Sequence, residues 1–595
     1  MPDIYKIFPA IGVARVGNST EYYLAPETTG ELPSGSFPDD FRDTDLLMKR
    51  QGVKFRVFCY PEADPDNPYE VIPGENGVAS IEWTVHIANK KSVWHEFEPI
   101  KGEGTYPPTN DLRNSGITDP AERAATLITD PGPRTLTGPS QDAYFNRDSV
   151  VPGGYGITFP PENLSPNEID SLGEIHTDAE GKLIVVGGYG HSGTDLTYPD
   201  PEQDLDYANN DNWWDDTSDG PVDAKIVFSD SAKPSVDAST AWVVVTPPRF
   251  APEIVPQITM YDLIFDVAVR NFPNYRPDIY SNGEFMSDYE TNAEEEVQRT
   301  LDRAYPYGAV SSDVPPHNFT YEDTLSDQLY GLMRKPEDAN VAGYTPGWMP
   351  MLAGDGSAQS IAADPSRSSK YLTFTETQIF LARQYNQGVT TTDPRLPEDG
   401  TPDGLTRAAL ENCSGGAFGP GIEMTWFARR PEIYAEPFRL RKRNYDYPLS
   451  IDATDLTEGL EPGDFTKFMA IPWQGDFNEC AVQWPLNNSS TKKTYVNWWP
   501  AQRPLKVNRW SETDGAFVKS PWIGDDAEPQ EDDDYANFLR FNLNSDMVDH
   551  WSELGFVMKT GDTGEINDFT EVQRTYDEVT TQSNQPKPKR RGRKK

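Results

Sequence analysis

The chain has 595 residues, of which 36% are hydrophobic and 12% aromatic, and its formal net charge is −43. This length and composition predict a globular protein with a large core and room for more than one domain. The charge argues against nucleic acid as the main partner of the folded body, because like charges repel across the surface. Three cysteines in so long a chain exclude a disulfide-rich scaffold.

The first half of the chain is predicted to be rich in β-strands. Residues 1–19 carry charges inside an apolar run, which indicates a folded first strand and turn and not a secretory signal. Residues 53–60 and 81–88 alternate in polarity, as half-buried strands do. Residues 183–188 and 241–246 are continuous apolar runs that predict buried strands.

Helical patterns begin near Pro256. Apolar residues recur at helical spacing over residues 256–270, and acidic residues open a second predicted helix over 292–305. Thr375 and Gln378 form the capping box of a third helix, which Gly388 ends. We therefore predict an α+β fold, with a β-rich body of largely antiparallel sheets, helices in the second half and many long ordered loops.

The predicted organisation has three parts. Residues 1–250 form a β-rich N-terminal part, residues 251–560 a mixed helical and β part that carries the functional site, and residues 561–595 a C-terminal extension. No clear linker separates the first two, so we expect one continuous unit. The acidic tract 525–534 predicts an exposed loop.

The sequence also limits partners and location. The last nine residues hold seven basic side chains and predict a solvated, disordered tail, the one segment whose charge suits nucleic acid. No stretch approaches the ~18 apolar residues that a membrane helix needs, so we expect no membrane partner. The location stays open between the cytoplasm and export without a classical signal.

Three simple types of site are weakly supported. The six histidines show no helical ligand spacing and no CxxC pair is present, so we predict no metal site. Asp215 and Asp216 could serve as the acid and base of a glycosidase, but among 95 acidic residues such a pair arises easily by chance. Their neighbours Trp213 and Trp214 suit either a pocket entrance or the core. The segment 187–193 predicts a tight turn.

The cysteines differ in their surroundings. Cys59 lies on an alternating strand and suits a small buried hydrophobe. Cys413 lies among glycines, which let a backbone approach another group closely. Cys480 follows Asp476 by four residues in PWQGDFNEC, and Trp551 opens the block WSELGFV. By composition alone, Cys413 and Cys480 suit inert core positions as well as reactive ones.

Several blocks of the chain resemble the quinoprotein amino-acid oxidases, a family that includes lysine ε-oxidases and glycine oxidases. The blocks, in chain order, are IYKIFPAIGVARVGNS, IEWTVHIANKK, ITDPGPR, DDTSDGPV, NCSGGAFGPGIE, PWQGDFNEC, WWPAQRP and WSELGFV. They extend from residue 4 to about residue 558, which is nearly the whole chain without its basic tail.

The resemblance implies a cofactor made from the chain itself. This cofactor is cysteine tryptophylquinone, in which a cysteine is joined by a thioether to a tryptophan oxidised to an ortho-quinone. By motif match the pair is Cys480 and Trp551, and the family's carboxylate four residues before the cysteine is Asp476, the implied general base. The active-site cysteine of the glycine-rich block is matched by Cys413, with a supporting role.

The implied activity is oxidation of a free amino acid or primary amine by O₂, with release of ammonia and hydrogen peroxide. The family further implies a flavoprotein that matures the cofactor and a homo-oligomer. Net acidity slightly favours a cationic substrate such as lysine, but the sequence leaves the amine open. An acidic β-rich binding or structural protein without a matured cofactor stays as the alternative.

Overall fold

The computed structural model describes residues 2–30, 41–94, 112–311, 317–336, 349–350, 372–415, 423, 426–451, 456–479, 482–483, 496–497, 499–524 and 539–576. The basic tail and the acidic tract 525–534 lie outside these residues, and so does Cys480.

A 13-stranded sheet, drawn wholly from residues 4–246, dominates the described structure. In chain order its strands are β1 (Ile4–Phe8), β2 (Ile11–Arg15), β3 (Tyr22–Leu24), β4 (Arg50–Tyr60), β5 (Tyr69–Glu70), β6 (Val78–Val85), β7 (Arg134–Thr137), β8 (Asp142–Asn146), β10 (Ser171–Thr177), β11 (Leu183–Val186), β14 (Ser218–Phe228), β15 (Val236–Asp237) and β16 (Ala241–Thr246). A second sheet holds β9 (Ser165–Pro166), β12 (Ser192–Thr194) and β13 (Trp213–Asp215).

The main path through the large sheet runs β7-β6-β14-β16-β2-β4-β11-β10-β8. Pairing is antiparallel except where β16 meets β2 and where β3 meets β4. The long strand β4 alternates buried and half-buried residues from Val53 to Val57 and is buried at Phe58 and Cys59, while β11 and β16 are buried throughout. These observations confirm the predicted α+β, largely antiparallel fold and the strands expected at residues 53–60 and 241–246. The strand expected at 183–188 ends at Val186, and the one expected at 81–88 is Val78–Val85.

The second half adds short strands and helices around this sheet. Its strand pairs are β17 (Tyr280–Ser281) with β18 (Glu284–Phe285), β19 (Thr291–Asn292) with β20 (Thr390–Thr391), β21 (Tyr434–Glu436) with β22 (Arg439–Leu440), β23 (Val482–Gln483) with β24 (Val496–Asn497), β25 (Lys506–Ser511) with β26 (Ala516–Pro521), and β27 (Phe556–Lys559) with β28 (Phe569–Val572). The described α-helices are α1 (Pro120–Leu127), α2 (Met260–Asn271), α3 (Arg299–Asp302), α4 (Tyr307–Val310), α5 (Asp327–Leu332), α6 (Glu376–Asn386), α7 (Pro402–Glu411), α8 (Trp473–Glu479) and α9 (Asn544–His550). Short 3₁₀ segments lie at Lys91–Val93, Pro152–Gly154, Trp426–Arg429, Pro431–Ile433, Leu456–Glu458, Trp551–Glu553 and Ile566–Asp568.

Local capping explains where the predicted helices begin. Thr375 and Gln378 form the expected capping box of α6, and Thr259 with Asp262 forms another at α2. The chain predicted to be helical over 292–305 opens with a π-helix at Ala293–Gln298 and continues as α3. Among the described residues, no helix is long and apolar enough to cross a bilayer.

One hydrophobic core cluster joins the large sheet to the second half of the chain. It extends from Tyr5 on β1 to Met558 on β27, and it includes Trp473 on α8 and Trp551 just after α9. The segments that carry Asp476 and Trp551 are therefore packed into the same core as the sheet.

We predict that Trp242→Ala lowers the free energy of unfolding by about 3–5 kcal/mol, because it removes a fully buried side chain from β16. The indole N–H of Trp242 also donates to Asp219 Oδ2 at 2.9 Å. Urea titration measures the change, and Trp510→Ala is the control because this side chain is 49% exposed. The control should stay within about 0.5 kcal/mol of the parent, and equal losses in both variants would contradict the prediction.

Candidate active site

Trp551 lies directly after α9 and is almost fully buried, with 4% of its surface exposed. Its indole meets that of Trp473, the first residue of α8, edge to face at a centroid separation of 5.3 Å. Trp473 in turn meets Phe477 at 5.5 Å. Trp551 is thus buried at the junction of α8 and α9, where it packs on the first residue of α8.

Helix α8 is fixed at both ends. The backbone N–H of Trp473 donates to Asp215 Oδ2 at 3.1 Å, which satisfies one of the donors that a helix start leaves without an intrahelical partner. At the other end, the amide of Asn478 donates to Asn544 Oδ1 at 2.7 Å and accepts the N–H of Phe541 at 2.9 Å. The start of α8 contacts the end of α9, and the end of α8 contacts the start of α9. The two helices therefore run antiparallel.

Asp476 lies in the first turn of α8 and is 1% exposed. The structure therefore places this predicted base on the helix whose first residue packs against Trp551. Glu479 ends the helix, and its carboxylate forms an ion pair with Arg540 just before α9. Cys480 follows Glu479 directly and lies outside the described residues.

The turn before β12 contacts the indole of Trp551. At Gly190 an added Cβ would lie 2.2 Å from Cζ2 and 2.5 Å from Cη2 of Trp551. The carbonyl of Gly190 accepts the side-chain N–H of Gln474 on α8 at 3.1 Å. Gln474 Oε1 accepts the hydroxyl of Ser192 at 2.6 Å. This turn, expected from the sequence only as a tight turn, belongs to the surroundings of Trp551.

Asp215 and Asp216 lie behind this turn, and both are buried. Asp215 Oδ2 accepts the ammonium of Lys91 at 2.5 Å. Asp216 Oδ2 accepts the backbone N–H of Tyr189 at 2.5 Å. Burial, aided by the charge of Asp215, raises the pKa of Asp216 to about 8. With both carboxyl groups enclosed and engaged by the fold, the pair does not offer the open acid and base of a glycosidase.

Cys413 is fully buried in a core cluster different from that of Trp551. Its flanks are held by charged groups: Arg15 and Arg249 donate to the carbonyl of Asn412 at 2.7 and 2.8 Å, and the N–H of Ser414 donates to Glu423 at 2.6 Å. Burial, and then the charge of Glu423, raises the pKa of the Cys413 thiol well above its usual range. Burial and the nearby Glu423 carboxylate therefore favour the neutral thiol over the thiolate.

Trp213 and Trp214 prove to be separated by the alternation of β13. Trp213 lines a cavity of about 210 Å³ and meets Tyr198 edge to face at 5.7 Å. The other lining residues are Thr194, Leu196, Thr197, Asp200, Gln203, Asp204, Leu205 and Ser545. Trp214 packs into a separate core cluster instead. Because Ser545 belongs to α9, the cavity lies against the helix that leads to Trp551.

No group of three or more histidine, cysteine, aspartate or glutamate side chains suited to a metal ion occurs within the part of the chain that the structure describes.

Comparison with known proteins assigns the family. The family description "L-Lysine epsilon oxidase N-terminal" matches residues 8–245, and "L-lysine epsilon oxidase C-terminal domain" matches residues 351–500. The chain belongs to the L-lysine ε-oxidase family. It is 30% identical to L-lysine 6-oxidase of Marinomonas mediterranea, over 96% of this chain and 90% of that protein.

Solved structures agree with the family assignment. A crystal structure of the Schiff base intermediate of L-Lys ε-oxidase from Marinomonas mediterranea with L-Lys matches at a TM-score of 0.78 and 28% identity. A second crystal structure of that oxidase matches at a TM-score of 0.77 and the same identity. Each match covers 96% of this chain and 95% of the other.

Sequence reasoning overlooked Gly190 and Gln474. A glycine-rich segment directly after an apolar strand was the signal for the first, since glycines permit a close approach. The signal for Gln474 was weaker: it is a polar residue two positions before Asp476 in a segment otherwise rich in aromatics.

We predict that Asp216→Asn removes one component of the pH dependence of stability. The folded chain holds a proton on Asp216 up to about pH 8, whereas the unfolded chain releases it near 3.8. The parent protein should therefore lose about 1.4 kcal/mol per pH unit relative to the variant as pH rises through this window. Urea unfolding at pH 5, 6 and 7 measures the difference. The exposed Asp562→Asn is the control, and parallel curves for parent and D216N would contradict the prediction.

Proposed function

We propose that this chain catalyses the oxygen-dependent oxidative deamination of a free amino acid or primary amine, releasing ammonia and hydrogen peroxide. One observation carries the proposal: Trp551 is buried at the junction of α8 and α9, on the same core as the helix that bears Asp476. Membership of an oxidase family supports an oxidoreductase acting on amino acids and does not favour a binding or structural protein.

Cys480 and Trp551 would hold a cysteine tryptophylquinone. Two features of the surroundings of Trp551 fit this group. The ring of Trp551 presents two adjacent C–H carbons, Cζ2 and Cη2, to a glycine. Trp551 is only 4% exposed, and its indole packs on that of Trp473. The bound quinone would supply an electrophilic carbonyl for the amine and would accept two electrons.

Asp476 is the proposed base. Oxidation of an amine requires that a proton leave the carbon that bears nitrogen, and a buried carboxylate near the reacting centre can accept it. Asp476 lies on α8, one turn after Trp473, so the helix that packs on Trp551 also sets the position of this carboxyl group. The aromatic surroundings keep bulk water from competing for the same proton.

Cys413 is proposed to support the pocket as a neutral thiol. Its neighbours on both sides are held by the Arg15, Arg249 and Glu423 side chains, and its own Sγ lies 3.8 Å from the carbonyl oxygen of Ser414. These contacts fix its position, and its raised pKa keeps it from acting as a nucleophile at neutral pH. Because Cys413 lies in a core cluster different from that of Trp551, the proposed support acts through packing.

Lysine is the first candidate substrate. The relative at 30% identity is a lysine 6-oxidase. The cavity beside α9 carries Asp200 and the aromatic rings of Tyr198 and Trp213, groups that attract a cation more than an anion. Asp204 also lines it, with its carboxylate bonded to the N–H groups of Asn544 and Ser545.

We predict that the matured enzyme, produced together with its flavoprotein partner, releases hydrogen peroxide and ammonia in equal amounts from a free amino acid or amine. A peroxide assay across the amino acids and simple amines identifies the substrate, with lysine expected to be the best. Cys480→Ser should abolish the signal because the cofactor cannot form. Cys59→Ala on β4 is the matched control and should retain it. Peroxide release that survives in C480S would contradict the proposed function.

We predict that Asp476→Asn lowers kcat about 100-fold or more, because a positioned base contributes about that much to proton transfer. Stopped-flow measurement of cofactor reduction under anaerobic conditions isolates this step from oxygen. Glu479→Gln is the control on the same helix, since its carboxylate pairs with Arg540. A D476N enzyme with a full complement of quinone and normal reduction would rule out this role.

A further inference from the structure

Gly190 lies at the outer edge of the six-membered ring of Trp551. An added Cβ would be 2.2 Å from Cζ2, 2.5 Å from Cη2 and 3.2 Å from Cε2, and real Cβ atoms essentially never come closer than 3.0 Å to such neighbours. The overlap is greatest at the two outer C–H carbons. No side chain therefore fits at this position while Trp551 keeps its place.

Two buried side chains hold Gly190 against the ring. Its backbone has φ +73°, a left-handed conformation that favours glycine. On one side Gln474 donates to its carbonyl at 3.1 Å and is itself bonded to Ser192 at 2.6 Å. On the other side Asp216 accepts the N–H of Tyr189 at 2.5 Å. The turn is thus fixed from α8 and from the sheet.

The chemistry of an ortho-quinone explains why a glycine would be needed against this edge of Trp551. Two adjacent ring carbons must each exchange a C–H bond for a C=O bond, with O₂ as the oxidant and water as the other product, and both oxygens project outward from the ring edge. Cζ2 and Cη2 are such a pair, and a backbone without a side chain faces them. A side chain at residue 190 would occupy the space that these oxygens and an approaching amine need.

We propose that Gly190 keeps the Cζ2–Cη2 edge of Trp551 open for oxidation and for the substrate amine, and that Gln474 is the positioning residue that holds Gly190 there. The proposal rests on the proposed function, because it requires Trp551 to be the oxidised residue. Gln474 precedes Asp476 by two residues on α8, so one helix sets both the base and the open edge.

The first test compares Gly190→Ala with Gly138→Ala in enzyme matured with its flavoprotein. Gly138 also has a positive φ, +85°, but no atom lies within 4 Å of its added Cβ, so this variant carries the backbone strain without the overlap. We expect at least about tenfold less quinone absorbance per folded chain in G190A and a normal amount in G138A. Normal quinone and normal kcat in G190A would overturn the role of Gly190.

The second test decides the matter if G190A does not fold. Gln474→Leu removes the hydrogen bond to Gly190, and Gln51→Leu removes a comparable buried one, from Gln51 to the carbonyl of Val13 at 3.0 Å. We expect Q474L to show a displaced quinone absorbance maximum and about tenfold lower kcat with little change in KM, whereas Q51L keeps the parent values. A parent-like spectrum and kcat in Q474L would overturn its positioning role.

Two outcomes distinguish failure of this inference from failure of the proposed function. A Trp551 that carries no added oxygen in matured parent enzyme would overturn the proposed function, and this inference with it. A modified Trp551 in the parent, combined with parent-like G190A and Q474L, would overturn this inference alone.

Discussion

The arrangement of the site depends on the hydrogen bonds and the ion pair that the buried carboxylate of Asp215 makes. One of its oxygens accepts both the ammonium of Lys91 at 2.5 Å and the first N–H of α8, from Trp473, at 3.1 Å. The other accepts the amide of Asn89 at 2.8 Å. Removing one partner of such a buried ion pair lowers the free energy of unfolding by about 3–5 kcal/mol, because the other charge is left buried without a partner. Asp215 therefore connects the strands of the first half of the chain to the helix that carries Asp476.

These contacts of Asp215 help to determine where Trp551 lies. Asp215 accepts the N–H of Trp473, the first residue of helix α8, and Trp473 packs on the indole of Trp551. The second residue, Gln474, holds Gly190 against the ring edge. Helix α9 packs against α8, and Trp551 is the residue that directly follows α9. The tryptophan is therefore constrained by two antiparallel helices and by one turn of the sheet. Such constraint suits a residue that must present one edge of its ring repeatedly in the same orientation.

Much of the fold could be predicted from the sequence, because alternation, apolar runs and capping boxes are local signals. The strand at Val53–Tyr60 and the helix that begins after Thr375 are examples. The surroundings of Trp551 could be predicted only through family motifs, which gave Asp476 and Trp551 but not their neighbours. Gly190 and Gln474 meet across 284 positions of the chain, and no local pattern reveals such a contact.

Cys480 and Trp551 are proposed to form one covalent cofactor. Mass spectrometry of protease-digested active enzyme tests this bond. We predict a single species that contains the peptides of Cys480 and Trp551 joined together, with two oxygens gained and four hydrogens lost. Two separate, unmodified peptides from active enzyme would contradict a cofactor formed by Cys480 and Trp551.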